Sequence, residues 1–456
     1  MLVRKQEVML VIYIILYLLS VSLYYFNYNL LASVVMVSLA IFLYVAEYKR
    51  SGRMINTRGI FALGFIGGFG ISLLKLSRLS EKYSAMMIIT VFIAYFSVYL
   101  GNYYLKKTIK FDNGLYKEEY IIKPKKLFNQ DIMMILLFFI TFISFLIEVK
   151  ILNFIPFFTV DTPHAYSTFH VFLLHYITSF YSFIPCFAIC NYFIEPERKI
   201  NKMFIILSYA YVIIMSILMI SRSRLILSIV LSAFIVFVYK QKELRKIFTR
   251  KKNLILVALS MLLFLVLYLI ITISRAHDIT YLNGIFEMKN ERLPIFISQP
   301  YMYIAQNFEN LNYMINNVFR FTFGRRSLQP LFTLTLIKKF FPFVLDAPVY
   351  VIKEELSTLT IVYDAYYDFG LVGVAILCFL IGYIGKIIED DTYNLLNNNN
   401  TIKNNYLVIV FSLYCYYMLF SFFQTYFSLT DTWVYIIILF LLSKFVVIER
   451  SKNIND

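Results

Sequence analysis

Along the chain, runs of roughly 20 apolar residues alternate with short connections rich in Lys and Arg, the pattern of helices that cross a bilayer. About twelve such runs can be drawn on the length needed for one crossing. They lie at 8–26, 30–46, 60–77, 84–105, 131–149, 168–194, 203–220, 225–239, 254–273, 358–385, 406–427 and 430–448. The run at 225–239 is short. The third is interrupted by Gly64, Gly67, Gly68, Gly70 and Lys75, and the tenth is long enough to tilt or to begin outside the lipid.

Composition identifies the solvent of this chain. With 456 residues, 60% of them hydrophobic and 19% aromatic, and a mean hydropathy of +0.71, it exceeds the roughly 45–50% apolar share of soluble domains. Lipid is therefore the expected surroundings, and the expected fold class is an all-α polytopic membrane protein. The net charge of +16 is unevenly placed. With the N-terminus inside, about two thirds of the 43 Lys and Arg fall on the inner side, where cytoplasmic loops carry the excess. One twelve-span threading thus puts every strongly basic short loop inside and both termini in the cytoplasm.

The organisation that follows is helices one to nine in 1–273, a basic extracytoplasmic loop with an amphipathic helix in 274–357, and helices ten to twelve with a cytoplasmic tail in 358–456. The first run follows Arg4 and Lys5, but it is longer than a signal-peptide core and lacks a small-residue cleavage site, so it reads as a retained span. Cys186 and Cys190 stand one helical turn apart within a span, with no His or carboxylate beside them. They read as packing residues, and no disulfide, metal or cofactor is expected.

Ionisable groups at spans or their mouths are the first candidates for chemistry, because placing them there is unfavourable. Arg222 and Arg224 in the Ser221-Arg-Ser-Arg turn are suited to clamp a phosphate or pyrophosphate bidentately, or to snorkel toward headgroups. Arg275, His277 and Asp278 follow the ninth span; an imidazole near a carboxylate suits a general base, and a plain interfacial collar is the alternative. Arg320, Arg325 and Arg326 lie in the long loop, after a stretch from Gln299 to Phe323 whose apolar residues recur every three or four positions. That spacing predicts an amphipathic helix against the membrane or across a cavity, with a break at Gly324. The arginines are either an anion site or a solvated patch. Finally, Asp364 and Asp368 share one helical face at the start of the tenth span, and Gly370 and Gly373 just below them suggest close helix packing. Those carboxylates are either functional or part of a buried ion pair that fixes helix position.

The long outer loop, the arginine pair after the seventh span, the Asn-Phe-Ile-Pro-Phe-Phe segment from Asn153 and the Tyr-Asp-Phe-Gly-x-x-Gly run ending at Gly373 together resemble the Wzy-type O-antigen and capsule repeat-unit polymerases. The related O-antigen ligases carry a His, then Asn, Ser or Gln, then nine residues before a Gly-x-x-Gly. Here Gly370 and Gly373 match, while Leu359 stands at the His position and Thr360 follows it, which argues against ligase chemistry. The resemblance implies a GT-C-like glycosyltransferase of the bacterial plasma membrane, acting on undecaprenyl-pyrophosphate-linked oligosaccharide donor and acceptor. A chain-length regulator and a flippase would be possible partners, and nucleic acid would not.

On this reading Arg222, Arg224 and Arg275 hold the pyrophosphate, Arg325 and Arg326 hold donor or acceptor phosphates, and Arg320 binds substrate beside them. Asp364, Asp368 or His277 handles the proton, and Tyr301, Tyr303, Tyr363 and Tyr366 stack on sugars. The main rival is a lipid-linked oligosaccharide flippase, which would place ionisable groups along a central path and show repeat symmetry. A transferase using acidic residues in the first outer loop finds none there.

Overall fold

The computed structural model describes residues 2–108, 124–159, 168–241, 279–340, 347–397 and 401–445. The expected span at 254–273, together with Arg275, His277 and Asp278, lies outside them. The described residues are helical, with no strand among them beyond one isolated antiparallel bridge between Ser77 and Met288.

Among the described residues, eight helices are long and apolar enough to cross a membrane: Glu7–Tyr25, Asn29–Ser51, Ala85–Tyr104, Asp131–Leu152, Leu174–Ile194, Lys199–Leu218, Arg222–Tyr239 and Tyr363–Leu396. Three further expected spans appear as shorter apolar helices, Thr57–Ser72, Asn405–Leu419 and Thr430–Leu442. The eleventh run is displaced along the chain: its helix is Thr401–Leu419, and a 3-10 turn at Tyr426–Ser428 precedes the next helix. The first helix shows why lipid suits these elements. Its face with Met9, Tyr13, Tyr17, Ser20 and Tyr24 is buried, yet the opposite face exposes Val8, Val11, Ile15, Leu18 and Leu19. A helix apolar all round is one that expects no water on its outer face.

By its contacts the chain divides into two compact units. The first comprises Met1–Phe111, Ile279–Asp390 and Tyr417–Trp433. Within it the Asn29–Ser51 helix packs against Leu2–Tyr25 on one side and the glycine-rich helices on the other. Tyrosine hydroxyls inside this bundle find backbone acceptors on a neighbouring helix: Tyr13 Oη donates to the Phe92 carbonyl at 3.1 Å and Tyr17 Oη to that of Ile88 at 2.7 Å. The interrupted third run forms Thr57–Phe61, a π-helical stretch Ala62–Ile66 and Gly67–Ser72.

Charged groups gather at the two ends of these helices and are paired, since an unpartnered buried charge is strongly unfavourable. At one end Glu47 meets Arg50 and Arg58, and Arg53 meets Glu389 at 2.8 Å and Asp390. At the other end the Lys75 ammonium lies 2.5 Å from Glu309 and 3.1 Å from the centroid of the Tyr83 ring.

Glu309 belongs to the helix Ile295–Asn317, where the sequence pattern placed an amphipathic helix against the membrane or across a cavity. The helix exists, but it is packed into the unit rather than laid on a surface. Its polar residues are buried beside its apolar ones because they fasten loops: Asn310 Nδ2 donates to the Leu356 and Thr358 carbonyls at 2.7 and 3.0 Å, and Asn312 Oδ1 accepts from Ser84 N at 3.0 Å. Apolar periodicity alone does not distinguish a polar face in water from one satisfied by the protein.

The second unit comprises Asp112–Asp278, Asp391–Tyr416 and Val434–Asp456. Phe180 and Phe183 pack on Tyr435, Tyr239 Oη donates to Asn405 Oδ1 at 2.9 Å, and Cys186 and Cys190 are buried thiols in its interior.

Candidate functional site

The helix Tyr363–Asn397 is broken near its start. Phe369 and Gly370 leave helical geometry, Gly370 with φ +60° and ψ −145°, a region that glycine alone enters easily. A break leaves the preceding carbonyls short of helical partners, and buried carbonyls must find others. Two are taken by the segment after the Ile295–Asn317 helix: Thr322 N donates to the Tyr367 carbonyl at 3.1 Å and Phe323 N to that of Asp368 at 3.3 Å. Gly373 lies close behind, where a β-carbon would sit 2.1 Å from the Ala365 carbonyl oxygen. The Gly-x-x-Gly pair therefore serves a kink in its own helix, and not the packing of two helices that its spacing suggested.

Side chains complete the attachment. Asp368, wholly buried, accepts from the Thr322 hydroxyl, from Arg326 N at 3.2 Å and from Ser327 N at 2.8 Å. Asp364 accepts from Arg326 Nε at 2.9 Å. Burial works against the Arg326 charge, but the Asp364 carboxylate beside it outweighs that and holds the guanidinium above its ordinary value. The Tyr367 ring lies under the same guanidinium, 5.9 Å from its central carbon. Both carboxylates and one arginine are thus engaged in fixing a turn.

The fixed turn presents the other arginines. Arg320 and Arg325 are exposed and have no side-chain partner among the described residues. Between and beside them Phe319 is 92% exposed and Phe323 77%, with Phe321 partly exposed. Charged and phenyl side chains alternate on one short, held segment.

The other sequence candidates fall elsewhere. Tyr363 and Tyr366 are buried, Tyr363 exchanging hydrogen bonds with both backbone groups of Tyr350 at 2.9 Å, so neither offers a ring face for stacking. Tyr301 is buried too, its hydroxyl accepting from Leu76 N at 2.8 Å, and Tyr303 packs edge-on against Phe423. In the second unit Arg222 and Arg224 occupy the first turn of Arg222–Tyr239, just after Ile220, whose φ is +48°. Arg222 is buried, and the Arg224 guanidinium stands over the Tyr435 ring at 5.3 Å.

Two carboxylates that pattern reading passed over prove central to their surroundings. Glu309 binds Lys75, the Tyr83 hydroxyl at 3.1 Å and Glu81 N at 3.3 Å; burial raises its carboxyl above the usual range in spite of the lysine. It also borders a narrow cleft with Ser80, Gln306, Asn310 and Ile352. The other is Glu148, wholly buried near the end of the Asp131–Leu152 span. A signal for it was present, since a carboxylate inside an apolar run is itself a functional flag.

No family model, no curated protein and no solved structure matches this chain. The helices define its class: an all-helical protein of polytopic membrane type.

Proposed function

We propose that the chain is a glycosyltransferase that joins undecaprenyl-pyrophosphate-linked oligosaccharide repeat units into a surface polysaccharide at the outer face of the bacterial plasma membrane. The observation that carries this reading is the turn of Arg320 and Arg325 with Phe319, Phe321 and Phe323, fastened by Asp368 and by the Arg326–Asp364 pair. Guanidiniums suit a phosphate through paired hydrogen bonds. Exposed phenyl rings beside them suit a hydrocarbon chain. A ligand with an anionic head on an apolar tail asks for both, and a polyprenyl pyrophosphate is such a ligand.

A polymerase handles two lipid-linked substrates and needs two anion grips. Arg222 and Arg224, in the first turn of Arg222–Tyr239, are a second candidate for an anion. Cations in the first turn of a helix oppose the positive end of its dipole, and a bound anion relieves that opposition. In the reaction a sugar hydroxyl of the acceptor attacks the anomeric carbon of the donor while the pyrophosphate departs. Positive side chains held in place stabilise the charge that grows on the leaving group. The charge-based threading of twelve spans, with both termini in the cytoplasm and a GT-C-like arrangement, turns these arginines toward the outside.

The test is the double variant Arg320→Ala, Arg325→Ala in the native host, read as surface glycan on a gel. Single-repeat products with normal export are expected. Long chains at wild-type abundance defeat the proposal, and repeat units held on the inner leaflet point instead to a flippase. In a second arm, the variant Arg325→Cys is expected to react with a membrane-impermeant maleimide added from outside; reaction only after lysis defeats the orientation.

A further inference from the structure

Glu148 lies in an apolar helix, and its side chain is wholly buried. Its Oε1 lies 3.2 Å from His175 Nδ1 and accepts from Val171 N at 3.2 Å, while its Oε2 is buried without a hydrogen-bond partner among the described residues. A buried carboxylate so placed is tolerated when it serves a neighbour, and its neighbour is an imidazole. With Nδ1 donating to Glu148, the proton is on Nδ1 and Nε2 carries the lone pair. Nε2 has no partner among the described residues, and the His175 side chain keeps 18% of its surface exposed. Among the described residues, Glu148 holds the imidazole on its Nδ1 side and nothing bonds Nε2.

The local backbone supports a built arrangement. Leu173, a bulky residue, is held at φ +65° immediately before the helix Leu174–Ser179 that carries His175. Strain of this kind persists only where the surroundings enforce it, and it collects at working sites. The rings of Phe169 and His170 lie 6.5 and 5.0 Å from His175 and border it on the loop side.

The dyad stands at the same end of its unit as the arginine pair. Ser216, near the end of Lys199–Leu218, meets Tyr181, and Arg224 at the start of Arg222–Tyr239 stands over Tyr435, which Phe183 also packs against. Tyr181, farther along the segment that bears His175, bonds Ser216 Oγ at 3.1 Å and feels the Arg224 charge.

We infer that Glu148 and His175 form a general-base dyad for the acceptor sugar hydroxyl, His175 taking the proton and Glu148 positioning it. This rests on the glycosyltransferase reading. The acceptor oxygen bonds to the anomeric carbon, the bond from that carbon to the pyrophosphate breaks with its electron pair leaving on phosphate, and the hydroxyl proton passes to His175 Nε2. The imidazolium is stabilised by Glu148, as in nucleophile–base–orienter triads on other folds.

The experiment uses membranes of a host lacking its own copy, supplied with each variant and with lipid-linked repeat units extracted from that deletion strain. His175→Gln keeps a donor for Glu148 but no titratable nitrogen. It is expected to slow chain growth by at least about 100-fold, the lower end of what a general base contributes, with an unchanged unfolding temperature. Glu148→Gln is expected to slow growth as well, and free imidazole to restore part of the rate in His175→Ala. Full-rate growth in His175→Gln overturns the dyad, as does a loss in His175→Ala that imidazole leaves untouched and that follows reduced protein. The arginine double variant separates the two readings: if it abolishes growth while His175→Gln does not, only the dyad falls, and if it grows full-length chains the transferase reading falls itself.

Discussion

Arg325 and Arg326 are adjacent in the chain and differ in everything around them. Arg326 is held by Asp364 and lies over Tyr367, while Arg325 points away from any side-chain partner among the described residues. Replacing each by Ala should therefore separate stability from activity. Arg326→Ala leaves the Asp364 carboxylate buried without its cation, and loss of one member of such a pair destabilises by about 3–5 kcal/mol; a lower unfolding temperature in detergent is the readout. Arg325→Ala is expected to leave unfolding unchanged and to shorten the surface glycan. At this scale the sequence exposed less than it hid. The i, i+4 spacing of Asp364 and Asp368 was readable as one helical face. That this face meets residues 322–327 was not, because nothing in a single chain pairs positions some forty residues apart. The same blindness left Glu148 and His175 unconnected.

Among the elements, the kinked helix governs the turn. Gly370 permits the break, the break releases two carbonyls, and the turn binds them. Gly370→Ala is expected to lose about 1–3 kcal/mol, the usual strain of a side chain forced into such a conformation, and its β-carbon would press on the Phe321 ring, 3.1 Å away. The measurable consequence beyond a lower unfolding temperature is faster proteolysis between Phe319 and Ser327. Run length was the legible feature here: most apolar runs of about 20 residues became helices of the length a bilayer needs. What a glycine pair does within a helix was not legible, since a packing notch and a hinge leave the same two letters. The polar side of Ile295–Asn317 misled for a related reason. Asn and Glu that satisfy loop backbones look, in sequence, like residues that face water.

For the whole molecule, apolar composition announced the class, and the division into units stayed hidden because each is assembled from separated stretches of chain. Lys75 and Glu309 illustrate the coupling between such stretches. Either Lys75→Met or Glu309→Leu alone should destabilise the first unit by about 3–5 kcal/mol, whereas the double variant should approach wild-type stability, because a buried pair gains little over well-packed apolar groups. A double-mutant cycle on thermal unfolding measures this, and additive losses would contradict it. Lys75 also precedes its partner by 234 residues, and Arg53 precedes Glu389 by 336. A ribosome making this protein must therefore deliver several helices into the bilayer while their cations still lack counter-charges. Until the later segments emerge, the nascent chain is a natural client for whatever machinery shelters half-finished membrane proteins, and a product arrested before Glu309 would be marked for removal by its own stranded lysine.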